Sequence, residues 1–390
     1  MTGYDAKPVD AAIILDAGRD AQPPVDPTPL APVIWERFIT GPGTVTPASL
    51  YDAVMLPSGV AVLATPNFTL FDQAGTETAR ILWPGVAGYN SGAGLMGALA
   101  RADGDRVTLL LNEGDVALRD YSAVTLAEGV AMTVDECWLP AAVAELDGVV
   151  YALSYCGQLK LHEIRDGAVE TTPLLPAGEI AVPTRRGYGT ADGRLVFCVL
   201  HSTDGTVGSQ KAEVLRIDPT GPTFTSLDIG PVGSAERCQL VRGPDNYLAY
   251  WSSWISGVGT IMRWTLVSLD GTTVLAGPID GPPQLFFDHA THDGGQYVGI
   301  GRAVDYWESV HIYPIDDDTG ELLPPSRVPT RPGEYLLGNE PAIASDGVNS
   351  YVAVSMMRTD YGATLRLLKL EPLFRFPRDN RVTPQVKLMQ

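Results

Sequence analysis

A tight-turn signal recurs along this chain at a nearly constant spacing, and no other feature restricts its fold as much. The signal stands at Pro57-Ser58-Gly59, Asp103-Gly104, Asp147-Gly148, Asp192-Gly193, Pro244-Asp245-Asn246, Asp293-Gly294 and Asp346-Gly347, in steps of about 44 to 53 residues. Asp-Gly pairs suit turns whose central residues take positive φ, which joins adjacent antiparallel strands without splaying them. Each turn leads into an apolar run of strand character, from Val60-Ala61-Val62-Leu63-Ala64 to Tyr351-Val352-Ala353-Val354-Ser355. A second turn series interleaves with the first at Gln73-Ala74-Gly75, Asp166-Gly167, Asp218 to Gly221, Asp270-Gly271 and Asp316 to Gly320. Four short strands in a meander, repeated at this period, are the blades of a ring. The chain is therefore expected to be all-β, a seven-bladed β-propeller of four-stranded antiparallel blades.

The ends of the chain fit around that ring. Residues 1–32 are built from Asp, Ala, Pro and Gly and read as a disordered spacer, with too little apolar surface to offset the entropy of ordering. The propeller is assigned to residues 33–371. Its last repeat lacks a fourth strand, since Pro372 and Pro377 interrupt the text that follows. The alternating run at residues 33–40, VIWERFIT, is expected to supply the outermost strand of that blade. Residues 372–390 are a C-terminal extension, in which Gln385 to Met389 competes for the same edge.

Charge and motif content narrow the function. A net charge of -19 opposes binding to a phosphate backbone, which requires Lys and Arg to displace counterions. No apolar window of about 18 residues occurs, so no transmembrane helix is expected. A GxSxG elbow, a P-loop, an HExxH motif and an EF-hand loop are all missing, and no cofactor or metal is expected. The nearest approach to a reactive cluster is Asp288-His289-Ala290-Thr291-His292-Asp293. On an innermost strand His289 would face the central channel, but the favoured reading is a pair of histidines beside a turn. Asp316-Asp317-Asp318 reads as a solvated turn.

Four cysteines sit at bridgeable places. Cys137 opens the first strand of the third repeat and Cys156 closes its second, and such strand ends lie side by side. Cys198 and Cys238 fall in successive repeats, where an inter-blade bridge stays open. The alternative is four buried thiols. A disulfide framework points to an oxidising compartment, extracellular or at the cell surface.

A recognition surface is expected on the face where the connections into each innermost strand and the second-to-third loops emerge. Its candidates are Trp138, Arg185, Arg186, Tyr188, Arg237, Tyr335 and Glu340 on the incoming connections. Trp254, Asp305, Tyr306, Trp307, Arg358, Asp360 and Tyr361 follow on the loops. Aromatics mixed with arginines on loops held by a rigid frame have the composition of a binding surface. The alternative is that they plug the ring's mouth.

The stretch ASDGVNSYVAVSMMRTDYGATLRLLKL, with RGPDNYLAYWSSW and THDGGQYVGIGRAVDYWESVHIY, resembles the "DGxxYLVVW" repeats of large exported bacterial propeller proteins. DAGRDAQPPVD near the N-terminus is similar to the spacers of lipoproteins from myxobacteria-like bacteria. The resemblance implies the fold and a secreted or surface setting, with a lipid anchor or tether at the N-terminus of the full-length form. The expected function is a non-catalytic module holding a protein or glycan partner. Alternatives are a carbohydrate hydrolase or lyase using Asp305, Glu308, Glu340 and Asp360 as acid and base, and a structural subunit of an extracellular assembly.

Overall fold

The computed structural model describes residues 27–39, 50–64, 67–82, 95–112, 114–136, 141–175, 178–205, 209–221, 223–230, 234–255, 259–282, 285, 287–303, 306–331, 334–336, 341–358 and 362–372. Among these every regular element is a strand. The first, β1 (Val33–Ile39), stands apart from the repeats. Then come β2 (Leu50–Leu56), β3 (Gly59–Ala64), β4 (Asn67–Asp72) and β5 (Glu77–Leu82), followed by β6 (Leu95–Ala100), β7 (Arg106–Asn112), β8 (Val116–Ser122) and β9 (Glu128–Asp135). The next eight are β10 (Ala141–Leu146), β11 (Val149–Tyr155), β12 (Leu159–Arg165), β13 (Ala168–Pro173), β14 (Ile180–Gly189), β15 (Leu195–Ser202), β16 (Lys211–Asp218) and β17 (Thr223–Asp228). After them run β18 (Ser234–Arg242), β19 (Asn246–Ile255), β20 (Gly259–Ser268), β21 (Val274–Asp280), β22 (His289–His292), β23 (Tyr297–Ala303), β24 (Tyr306–Ile315) and β25 (Ser326–Arg327). The last four are β26 (Glu334–Leu336), β27 (Ala342–Ser345), β28 (Ser350–Arg358) and β29 (Gly362–Leu370).

The strands form antiparallel meanders, as the two turn series require. At Asp147-Gly148 both residues have positive φ, 51° and 78°, and at Asp166-Gly167 the angles are 49° and 80°. These are the backbone settings that Asp-Gly accommodates and most pairs resist. The division into sheets departs from seven separate blades. Four sheets have four strands, one has five and one has eight. Five blade-sized sheets are thus separate, and the strands β10 to β17 are continuous. The join is a short parallel pairing of β10 with β14, Ala142↔Arg185 and Val143↔Arg186. Its cause is local. Between Pro183 and Gly187 the ladder of β14 with β15 loses register, so Arg185 and Arg186 bulge out of their own sheet toward β10.

The innermost strands touch in the order β2, β6, β10, β14, β18, β22, β27 and back to β2, which closes the ring. The core is therefore a set of interfaces between neighbouring sheets. Val298, Ile300 and Ile312 pack on Val352, Val354 and Leu368. Val60 and Val62 pack on Ala353, Leu365 and Leu367, where the last sheet meets the first. Strands such as β3 and β15 lie between two interfaces and are buried at every position. Outer strands such as β13 and β17 are largely exposed.

At the outer edge of the last sheet β1 runs antiparallel to β29, from Val33↔Leu370 to Ile39↔Leu365, so the two ends of the chain share one sheet. Residues just ahead of β1 also contact the ring. Ala31 N donates to Arg327 O, Arg327 N donates to Pro29 O, and Ala31 is buried, so the spacer assigned to residues 1–32 already lies against the ring at its last residues. Residues 1–26 and 373–390 lie outside the described residues.

Cys198 of β15 and Cys238 of β18 form a disulfide between adjacent sheets, with Cα atoms 5.5 Å apart. Cys156 is also disulfide-bonded. Its expected partner, Cys137, lies outside the described residues.

Candidate functional site

Charged side chains from several blades meet inside the ring. Asp52 on β2 is fully buried, and its Oδ2 accepts a hydrogen bond from Arg186 Nη2 of β14 at 2.8 Å. Asp52 Oδ1 is 2.7 Å from the backbone N–H of Ala53, a second donor to the carboxylate. Arg185, beside Arg186, donates to Nε2 of His289 on β22. The charges of Arg185, Arg186 and Arg237 all act on the His289 ring. Tyr250 feels Arg185, Arg237 and Asp288, and Asp288 is completely buried.

Backbone irregularities set this cluster. The innermost strands lose register between Leu50 and Asp52, between Leu95 and Gly97, between Pro183 and Gly187, and between Ala235 and Arg237. Bulges of this kind redirect side chains out of the regular alternation. Arg185 also has φ of 53°, an unfavourable setting for a residue with a Cβ. Gly97 on β6 makes the arrangement possible, because a methyl group there would collide with the Arg185 carbonyl oxygen.

The electrostatics follow from burial beside three guanidinium groups. Burial, then the charges of Arg185, Arg186 and Arg237, hold the His289 imidazole well below its ordinary pKa. The ring is neutral and accepts from Arg185, so its 3.5 Å separation from Asp52 is not an ion pair. For Arg186, burial works against the charge, but the Asp52 carboxylate outweighs it and raises the pKa. Burial pushes the Tyr250 phenol up, so it stays a hydrogen-bond donor, here to Gln239 Oε1 at 2.7 Å.

Two further clusters lie on the face where β11 ends and β14 begins. Ser154 Oγ is 2.8 Å from His162 Nε2 and 2.7 Å from Asp135 Oδ2. This resembles a nucleophile–base pair only in composition. Ser154 is wholly buried, the carboxylate stands on the same side of the imidazole as the serine, and Nδ1 faces Thr171. Burial depresses the His162 pKa to about 4. The second cluster places His201 between Glu213, 2.9 Å from Nδ1, and Glu179, 3.1 Å from Nε2. The Glu213 hydrogen bond, with that of Glu179, raises the His201 pKa despite burial.

The residues expected on the recognition face divide sharply. Arg185, Arg186 and Tyr188 lie within β14 and Arg237 within β18, inside the ring rather than on incoming connections. Trp254, Tyr306, Tyr335 and Arg358 have positions on strands of the rim hairpins or beside them, as does Trp307. Trp138, Asp305, Glu340, Asp360 and Tyr361 lie outside the described residues. The cluster around Asp288 splits. His292 sits beside its turn, where Gly294 N donates to Nδ1, as the favoured reading had it. His289 instead belongs to the channel, which corrects that reading. Asp52 carried no signal in the sequence, because its partner is 134 residues away. Asp316 Oδ1 accepts from the N–H groups of Asp318 and Thr319, the arrangement of a capped turn.

The fold and the ring closure define a β-propeller. Solved structures share it: the β-propeller domain of Cps50 (Swd1) from Myceliophteria thermophila matches at TM-score 0.57 with 10% identity, over 86% of this chain and 99% of that one. A chain of a mitotic checkpoint complex matches at TM-score 0.55 with 11% identity, over 95% and 99%. The Dos1 propeller matches at 0.54 with 10% identity, over 87% and 95%. No family model matches the chain, and no curated protein matches it in sequence.

Proposed function

We propose that the protein is a non-catalytic binding scaffold, a ring of seven blades in which the eight-stranded sheet serves as two, and that its loop-rich rim holds a protein or glycan partner. One observation carries this reading. On two sheets the hairpin between second and third strands stays paired almost to its tip, Ile255↔Gly259 and Arg358↔Gly362, and on the sheet between them the pairing slips from Arg302↔Val310 to Ala303↔Tyr306, so that residues 307–309 bulge at the rim. Paired hairpins hold contact positions at low entropic cost, and these include positions 254 and 358, with 306 and 307 at the bulged rim between them.

We place the protein outside the cytoplasm, at the cell surface or secreted, a reading supported by the Cys198–Cys238 bridge. The likeness of its repeats to exported bacterial propellers agrees with that placement, and on the same ground we infer an N-terminal tether or lipid anchor. One structural neighbour works within a multi-protein assembly, the mitotic checkpoint complex, and a protein partner is the matching choice here. Photo-crosslinking residues introduced at positions 254 and 307 test the reading on intact cells. A discrete adduct is expected from both and none from Val130 on the outer strand β9. Equal labelling from all three positions overturns it.

A further inference from the structure

We propose that His201 is a pH-sensitive latch on the rim: its protonated ring ties Glu179, just ahead of β14, to Glu213 of β16, and loss of the proton frees Glu179 and the segment that carries it. The latch lies on the face where a partner is placed above, but its observations and its test need no partner.

The first observation is the supply of donors. Glu213 Oε2 is 2.9 Å from Nδ1 of His201, and Glu179 Oε2 is 3.1 Å from Nε2. An ionised carboxylate only accepts, so the two contacts together require a ring that donates from both nitrogens, and only the imidazolium does. A neutral imidazole donates from one nitrogen and turns a lone pair toward the other carboxylate. One of the two contacts then fails.

The second is which contact gives way. Glu213 sits within the ladder, opposite Val199 of β15 and Asp228 of β17, and its side chain is 11% exposed. Glu179 stands ahead of the first residue of β14, Ile180, and its side chain is 26% exposed. Water replaces the histidine at Glu179 more cheaply than at the buried Glu213. Beside Glu179, Gly178 has a φ of 105° and open space where a Cβ would stand, a backbone free to turn without collision.

The third is what the latch holds. A Cβ added at Gly205 would come within 2.7 Å of the Gly178 carbonyl oxygen, so the entry to β14 is seated on the turn that follows β15. His201 fixes that entry from the strand side.

The surrounding charges leave the switching to the two glutamates. Lys211, opposite His201 on the ladder, has its Nζ 3.1 Å from Asp228 Oδ2. Asp204, past the end of β15, accepts from Ser202 and Ser209. The sheet facing Val199 on the other side presents Leu159 and Leu161. The Glu213 hydrogen bond, with that of Glu179, raises the ring's pKa from 6.5 despite burial. The latch is therefore shut in mildly acidic solution and opens as pH rises through the folded value.

NMR on the full chain from about pH 6 to about pH 10 is the test. The ring of His201, one of five histidines, is expected to titrate above 6.5. Carbon-13 relaxation at the Cα atoms of residues 178 and 179 is expected to give order parameters near about 0.85 below the ring's midpoint and under about 0.6 above it. Residues 213–215 are expected to stay rigid on both sides. In Glu179→Gln the carboxamide donates to or accepts from the ring in either protonation state, so the change at residues 178 and 179 is expected to vanish and the ring's midpoint to fall. Glu179→Ala is expected to give the open-state values on both sides. Both variants alter a partly exposed side chain, and a melting temperature equal to the parent's above the midpoint, where the parent latch is open, shows that each is folded. A ring that does not titrate over this range, residues 178 and 179 unchanged across its titration, loosening at residues 213–215 instead, or parent-like behaviour in either folded variant overturns the proposal.

Discussion

Arg186 Nη2 lies 2.8 Å from Asp52 Oδ2, joining β14 to β2 through the middle of the ring across 134 residues of sequence. Neither strand neighbours the other around the circumference, so this pair braces the ring across its centre.

Removing one partner strips the other of its opposite charge. Asp52→Ala is expected to cost about 1–3 kcal/mol in urea denaturation, since the partly exposed Arg186 guanidinium loses its carboxylate partner. The double variant Asp52→Ala/Arg186→Met is expected to recover much of that loss. Additive effects of the two substitutions would show that the residues do not interact.

Gly97→Ala tests the close approach of β6 to β14. The added methyl meets the Arg185 carbonyl, which is backbone and cannot rotate away. A loss of about 1–3 kcal/mol is expected, with a weaker fit of Arg185 against His289 visible in the imidazole resonances. A Gly148→Ala control has open space around its Cβ but a φ of 78°. Its cost is expected to be backbone strain alone, and the channel resonances are expected not to move.

His162 sets an acid limit. Its pKa falls from 6.5 unfolded to about 4 folded, chiefly by burial. The unfolded chain therefore binds more protons between those values, and stability declines as pH drops from about 6.5 toward 4. The nearby charges are Asp135, which opposes the shift, and Lys160, which adds to it. His162→Gln is expected to remove that part of the slope of unfolding free energy against pH.

His201 acts with the opposite sign. Its pKa is raised through Glu213 and Glu179, so its stabilisation is complete below pH 6.5 and is lost as pH rises through the folded value. His201→Gln is expected to be less stable than the parent at pH 6 and to approach it at alkaline pH. A difference that does not change with pH would mean the imidazolium contributes nothing.

Cys198–Cys238 closes a loop with a sequence separation of 40. Loop-closure entropy assigns it about 4 kcal/mol. The double variant Cys198→Ala/Cys238→Ala is expected to lose a sizeable part of that, with a lower melting temperature in calorimetry without reductant.

The sequence by itself determined the repeat. Asp147-Gly148 and Asp166-Gly167 carry their turn preference in two adjacent residues, and the buried run of β3 carries its double-sided burial in consecutive apolar side chains. Such signals are local, and the period of the turns assembles them into meanders. The channel was decided only by the tertiary structure. Asp52, Arg186 and His289 are far apart in the chain, and bulges in β2, β14 and β18 shift residues out of the alternation from which their direction would be read. His289 and His292 look alike in sequence, three residues apart. One ring caps a turn and the other meets three arginines, because closing the ring brought β14 and β18 to one of them and not to the other.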